Sequence, residues 1–184
     1  MPRIPTRDEA LALLNQHVTT AYTLRHSLAT EAVTRALARR LGHDEDLWGL
    51  TGLLHDLDLD EVGTDMNRHA RRTVEILGDL DCPPEMLGAI LAHNGDVLDI
   101  PCRAPLDFAT TAGESVTGMV FAMAKVLPSG NLADVKASSV RKRLKEPRFA
   151  ANISRERIGQ FAGLGLSEEE FMAIAVDAMA KAGI

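Results

Sequence analysis

Leu53-Leu54-His55-Asp56 ends an apolar helical run, and the rest of the chain makes sense when taken outward from it. Successive residues on a regular helix point about 100° apart, so adjacent ligands cannot share one stripe of it. At a helix end they can converge, one from the last turn and one from the backbone leaving it. A neutral imidazole beside a carboxylate suits a first-row transition ion or a mixed nitrogen and oxygen binuclear site. Alone the doublet is a weak signal, since a surface pair is the commoner explanation. It gains weight if further histidines and acids recur on neighbouring helices.

The 184 residues are most simply one domain, large enough to bury a core without disulfide or metal staples. Seven aromatics among abundant Ala and Leu favour helices over a β sandwich, so the expected fold is all-α. A net charge of −6 argues against general nucleic-acid binding, which needs a dominant basic face. Cys82 and Cys102 form no Cys-x-x-Cys motif, and no secretory apolar segment opens the chain. They read as reduced thiols, which places the protein in the cytoplasm. No apolar run approaches the roughly 18 residues of a membrane span.

Thr6-Arg7-Asp8-Glu9 has capping-box spacing and predicts a first helix through Leu14. A long amphipathic helix follows the break at 17–20, with Gly42 as its terminator, and His26 shares its inner face with Ala29, Val33 and Leu37. The next helix caps at Asp44 and runs to the doublet. Gly49 and Gly52 each weaken it by roughly 1 kcal/mol relative to Ala, which points to close backbone packing. After an acidic loop (Asp58, Asp60, Glu61, Asp65), a helix is expected to restart near Asn67 and to carry His69. Pro83-Pro84 starts another that ends at His93-Asn94-Gly95, and Phe108–Leu127 is a helix containing Glu114. Beyond the Pro128–Asn131 turn lie a basic helix, an irregular piece at 147–154, a short helix from Arg155, and a last helix capped by Ser167-Glu168-Glu169-Glu170.

His26, His55, His69 and His93 thus fall in buried or helix-end contexts, while His17 and His43 read as surface residues. A single His on an apolar face is more often a hydrogen-bonded core residue, and Glu114 alone reads equally well as a solvated position. Four such histidines on successive helices are harder to dismiss. Burying that many unpaired imidazoles is costly, whereas a metal satisfies them together.

Arg25-His26-Ser27, Gly52-Leu53-Leu54-His55-Asp56, Arg68-His69 and Ala92-His93-Asn94 together resemble the HD-domain superfamily of metal-dependent phosphohydrolases. The resemblance covers residues 20–125. It implies one HD-type helical domain over 1–184, with the metal-site core at 20–125 and a helical extension at 132–184. It also implies metal ligands at His26, His55, Asp56, His69 and His93. The family's final ligand is an Asp in a small-residue helix. This chain has Glu114 there, within Ala112-Gly113-Glu114-Ser115-Val116-Thr117-Gly118, so the carboxylate is kept with a reach one methylene longer. Asp107 is a weaker substitute.

The function implied by the resemblance is hydrolysis of a small phosphorylated molecule, a nucleotide among the candidates, with one or two divalent transition ions (Fe, Mn, Co, Ni or Zn). Asp56 is suited to bridging two ions, and Asp58 is a candidate proton acceptor or partner to a ligand. Arg25, Arg71 and Arg72 flank presumed ligands and are candidates to meet substrate phosphate, Arg25 and Arg72 first. The basic cluster Arg141, Lys142, Arg143 and Lys145 reads as a solvated face. Two alternatives keep the fold: a mixed-valent di-iron oxygenase, and a degenerate domain that binds nucleotide or metal for regulation.

Overall fold

The computed structural model describes residues 4–78 and 80–184, and among these there are helices and turns but no strand. In chain order the helices are α1 (Arg7–His17), α2 (Ala21–Leu41), α3 (Glu45–Leu54), α4 (Leu59–Val62), α5 (Arg71–Gly78), α6 (Pro84–His93), α7 (Gly95–Leu98), α8 (Pro105–Val126), α9 (Ala137–Leu144), α10 (Arg155–Gly159) and α11 (Glu168–Ala182). Two short 3-10 segments, Leu132–Asp134 and Gln160–Leu164, complete them. None is long and apolar enough to cross a membrane.

The two longest helices, α2 and α8, pack on each other and carry the rest. α3 and α11 also lie on α2, and α6 and α10 lie on α8. Ala29, Val33 and Leu37 of α2 meet Ala112, Val116 and Met119 of α8 in one apolar core, which Phe171, Ala175 and Met179 of α11 join. Each fully buried Leu or Phe contributes roughly 1.5–3 kcal/mol relative to exposure. Residues Leu53, Leu54 and Leu57, all without exposure, therefore anchor the end of α3 that bears the His-Asp doublet.

Local chemistry sets the helix ends. Thr6 and Glu9 form the capping box of α1, Asp44 accepts from the Asp46 and Leu47 amides, and Gly42 closes α2 in the left-handed region at φ 75°. Ser167 accepts from the Glu170 amide to start α11. Gly52 fixes how closely α3 approaches α2. A Cβ there would lie 2.5 Å from Thr34 Oγ1 and 2.9 Å from the Thr30 carbonyl oxygen.

The acidic loop is part of this capping system. Asp60 accepts from the Thr19 and Thr20 amides at 2.7 and 2.8 Å, closing the N-terminus of α2, whose own Thr20 side chain makes no cap. Asp58 accepts from the Thr73 amide in the first turn of α5 at 3.1 Å. Here the structure departs from the expectation: α5 starts at Arg71, and His69 lies in the turn before it. Ala70 takes φ 69°, a left-handed conformation that interrupts any helix begun at Asn67. Asn94 holds this turn through Nδ2, which donates to the Met66 and His69 carbonyls at 2.7 and 3.1 Å.

One side chain organises the irregular segment between α9 and α10. The Arg155 guanidinium donates to the carbonyls of Leu144, Glu146, Phe149, Ala150 and Ile153, with the Ala150 and Ile153 bonds at 2.7 and 2.8 Å. The basic helix α9 is paired outward, as its composition implies. Arg141 meets Glu168 at 3.0 Å and Glu169 at 3.3 Å, and Arg143 meets Glu146 at 2.5 Å.

Candidate metal centre

Three helices and one turn bring five side chains together. His26 comes from the inner face of α2, and His55 and Asp56 from the end of α3. His69 comes from the turn before α5, and His93 from the last residue of α6. All five are buried.

Hydrogen bonds at Nδ1 fix the tautomer of each ring. Carbonyl oxygens only accept, so His55 Nδ1 donates to the Gly52 carbonyl at 2.8 Å and His93 Nδ1 donates to the Ile90 carbonyl. His69 Nδ1 donates to Asp58 Oδ1 at 2.8 Å. Thr117 Oγ1 spends its one proton on the Glu114 carbonyl at 2.7 Å, so His26 Nδ1 donates to that hydroxyl at 2.8 Å. In every ring the Nε2 lone pair is left bare and turned inward.

Those lone pairs meet one another. His26 Nε2 lies 3.2 Å from His55 Nε2, and His69 Nε2 lies 3.0 Å from His93 Nε2. Two acceptors at such distances repel unless a cation or a proton sits between them. Asp56 divides the set: Oδ2 is 3.5 and 3.3 Å from His26 and His55 Nε2, and Oδ1 is 3.4 Å from both His69 and His93 Nε2. The result is two three-donor groups, His26-His55-Asp56 and Asp56-His69-His93, each able to hold a metal ion and sharing one carboxylate. The donor chemistry fits a divalent ion, because neutral imidazoles oriented through Nδ1 and one bridging carboxylate are what such ions take.

Without metal the rings differ in protonation: for His55 burial opposes the charged form, but Asp56 and Glu114 prevail and raise its pKa. Burial, reinforced by the neighbouring imidazoles, pushes His26 and His93 down to about 4 against the pull of Asp56. For Asp56, burial opposes ionisation, but His55, His93 and His26 prevail and hold its carboxyl well below the usual range.

The other sequence candidates part company. Glu114 faces the group, with Oε2 3.9 Å from His26 Nε2 and a side chain only 14% exposed. Burial pushes its carboxyl up to about 7, against the hydrogen bond from Ser115. Asp58 lies one residue further out: it is fully buried, one oxygen on His69 and the other on the Thr73 amide, and so positions a ring. Asp107 accepts from the Arg103 and Ala104 amides at the start of α8 and has no part in the group. Thr110 is buried, and its hydroxyl has no hydrogen-bond partner among the described residues.

The arginines beside the ligands in sequence point elsewhere. Arg25 stacks over Phe121 at 5.3 Å and donates to the Ile184 carbonyl, while Arg72 pairs with Glu61 at 3.0 Å and Glu75 at 3.2 Å. Arg71 is exposed. Each is turned away because neighbours along a helix or turn point in different directions. The guanidinium that does reach the site belongs to Arg157 on α10, with Nη1 3.9 Å from Glu114 Oε1 and Nη2 bonded to Asp96. No motif marks Arg157, and only the fold reveals it. Thr117, another residue the sequence leaves unmarked in its role, is found only through its bond to His26.

Two cavities open on this centre. One of about 340 Å³ is lined by Tyr22, His26, Glu114 and Arg157, and one of about 290 Å³ by His93, Asp96, Asp99 and Arg157.

Comparison with known proteins adds family and relatives. The HD domain family matches residues 23–109. A curated relative, the deoxyguanosinetriphosphate triphosphohydrolase-like protein of Nitrobacter hamburgensis, is 34% identical over 104 residues, covering 44% of this chain and 26% of the relative. The chain therefore spans about a quarter of that relative's length. No solved structure matches the chain. The segment that matches the HD domain family, residues 23–109, contains the doublet and the three further histidines that surround it.

Proposed function

We infer that the protein is a metal-dependent phosphohydrolase acting on a small phosphorylated molecule. The observation that carries this is the set of four Nδ1-anchored imidazoles whose Nε2 atoms converge on the two oxygens of Asp56. His26, His55 and Asp56 would hold one ion, and Asp56, His69 and His93 a second, with Glu114 ligating the first directly or through one water. Divalent ions in such a set make a nucleophilic water available at neutral pH and polarise a phosphoryl oxygen.

The chain's own groups orient the reaction. Asp58, Thr117 and the Gly52 and Ile90 carbonyls hold the Nδ1 protons of the four rings, which directs each Nε2 at the site. Asp56 offers one oxygen to each side, so it sets the separation of the two donor groups. The open cavities beside His26 and His93 give a phosphorylated ligand access to both. In hydrolysis the water oxygen bonds to phosphorus, the phosphorus–oxygen bond to the leaving group breaks, and a water proton ends on the leaving oxygen. The name of the relative favours a nucleotide among the possible substrates.

Metal analysis of protein purified without chelator or nickel resin should find one or two divalent ions per chain. Phosphate release from a panel of phosphoesters and anhydrides should require them and vanish in Asp56→Ala while the helical circular dichroism persists. Full activity in Asp56→Ala would overturn the mechanism. Iron-dependent aerobic oxidation with no phosphate release would replace it with the oxygenase alternative.

A further inference from the structure

The charge lining the two cavities says how much phosphate the site is built to hold. Among the described residues that line them, Arg157 is the one Lys or Arg, while Asp96, Asp99, Glu114 and Glu156 are carboxylates. Arg25 and Lys125 line a different groove that shares only Tyr22 with the cavity beside His26. A triphosphate tail is commonly met by several cationic groups or an amide-rich loop, because each added phosphate brings further negative charge. With ions at the histidines to take up one phosphoryl group and Glu114 spent on the first of them, Asp96, Asp99 and Glu156 around a single guanidinium would repel the phosphates beyond it.

Arg157 itself is placed at the junction. It lines both cavities, comes from α10 outside the matched HD segment, and its side chain is 25% exposed. Its two terminal nitrogens are turned to carboxylates, one bonded to Asp96 and one 3.9 Å from Glu114. Asp96 is the weaker holder of the two, since its side chain is 60% exposed and it sits in the single turn α7. A phosphate dianion offers the guanidinium the same bidentate geometry with more charge, and so competes for it.

Resting on the phosphohydrolase reading above, we propose that Arg157 is the phosphate-binding residue of the site, released from Asp96 on binding, and that the substrate is a phosphomonoester carrying a single phosphoryl group. Asp96 then acts as an internal competitor for the anion, so removing its charge strengthens phosphate binding while removing Arg157 weakens it. The opposite signs separate this arrangement from a salt bridge that merely holds α7 to α10. In that case both changes would loosen the same wall and shift binding the same way.

The test uses the full-length chain loaded with Mn²⁺ and inorganic phosphate as the probe, titrated calorimetrically. Arg157→Met should weaken phosphate binding by about tenfold or more, Arg157→Lys by less, and Asp96→Asn should tighten it several-fold, with metal content and melting temperature measured for each variant. A second arm compares a nucleoside 5′-monophosphate with the matching 5′-triphosphate, and the monophosphate should have the larger kcat/KM by at least about tenfold. No phosphate binding, equal binding in Arg157→Met, or weaker binding in Asp96→Asn would each overturn the role of Arg157. Preferred turnover of the triphosphate would overturn the substrate class. Binding that depends on Arg157 with neither nucleotide hydrolysed would instead sink the hydrolase reading and the substrate class, and leave the anion site standing.

Discussion

Replacing Gly52 by alanine tests the link between helix packing and the metal centre. In the middle of a helix that substitution normally gains roughly 0.5–1 kcal/mol. Gly88 of α6, where a Cβ would meet nothing within 4 Å, should show the gain. At Gly52 the methyl would fall 2.5 Å from Thr34 Oγ1 and 2.9 Å from the Thr30 oxygen. The Thr34 hydroxyl is tied to Thr30 by a 2.8 Å bond, and the Thr30 oxygen is backbone, so neither yields cheaply. Carbon–oxygen contacts settle at about 3.3 Å or more, so α3 must retreat from α2 by roughly 0.4 Å to clear the Thr30 oxygen and roughly 0.8 Å to clear Thr34 Oγ1. Overpacking of this kind costs about 1–3 kcal/mol, which exceeds the helix gain and leaves a net loss of about 1–2 kcal/mol. That corresponds to a Tm lower by about 2–8 °C for a chain of this size. The retreat also moves the carbonyl that accepts from His55 Nδ1, so His55 shifts relative to His26. Metal affinity should drop about tenfold. Thermal melts of metal-free Gly52→Ala, Gly88→Ala and the parent, followed by Mn²⁺ titrations, measure both effects. If Gly52→Ala melts as high as Gly88→Ala and binds Mn²⁺ like the parent, the close approach has no hold on the site.

Asp58→Asn should reduce metal affinity by about 10–100-fold, because His69 loses the carboxylate that orients it, and metal stoichiometry will show whether one ion is lost preferentially. Thr117→Val should free His26 from its Nδ1–H tautomer, visible in the imidazole nitrogen shifts by NMR; unchanged shifts would mean that the hydroxyl does not set the tautomer. Glu114→Gln should act in opposite directions on stability and binding. The folded carboxyl sits at about 7 against an unfolded value near 4.5, so the stability tied to its proton is present below pH 4.5 and lost as pH rises through 7. Metal-free Glu114→Gln should therefore gain on the order of 2–3 kcal/mol over the parent at pH 8 and nothing near pH 4.5, as measured by denaturant melts. With metal, the same variant should bind more weakly than Glu114→Asp, and equal affinity in both and the parent would remove Glu114 from the ligand set.

The helical fold is legible because its signals are local: capping boxes, a glycine stop, and apolar spacing along α2 and α8. The histidines stand out because each occupies an apolar face or a helix end. His69 is misplaced by sequence because its turn is held from outside, by Asp58 and Asn94, and distant partners leave no trace in local periodicity. The same reasoning hides Arg157, which reaches the centre only because α10 packs on α8. Proximity in sequence misleads for Arg25, which its helix turns away from the neighbouring His26, and for Arg72, which Glu61 and Glu75 hold outside the group.

Arg155 makes the wall of the cavity beside His26 unusual in how it can change. The backbone of that wall is shaped by one guanidinium reaching five carbonyls, and carbonyls are common to every residue type. Of the three side chains that line the cavity there, Ser154 caps α10 by accepting from the Arg157 amide and Ile153 packs against the core, so the Asn152 side chain is the one largely released from holding the loop's shape. Substitutions at Asn152 can alter what the site admits without first unravelling the segment. The match to the HD domain family ends at residue 109, well before this wall, so the histidine cluster and the cavity wall beside it can diverge on separate schedules.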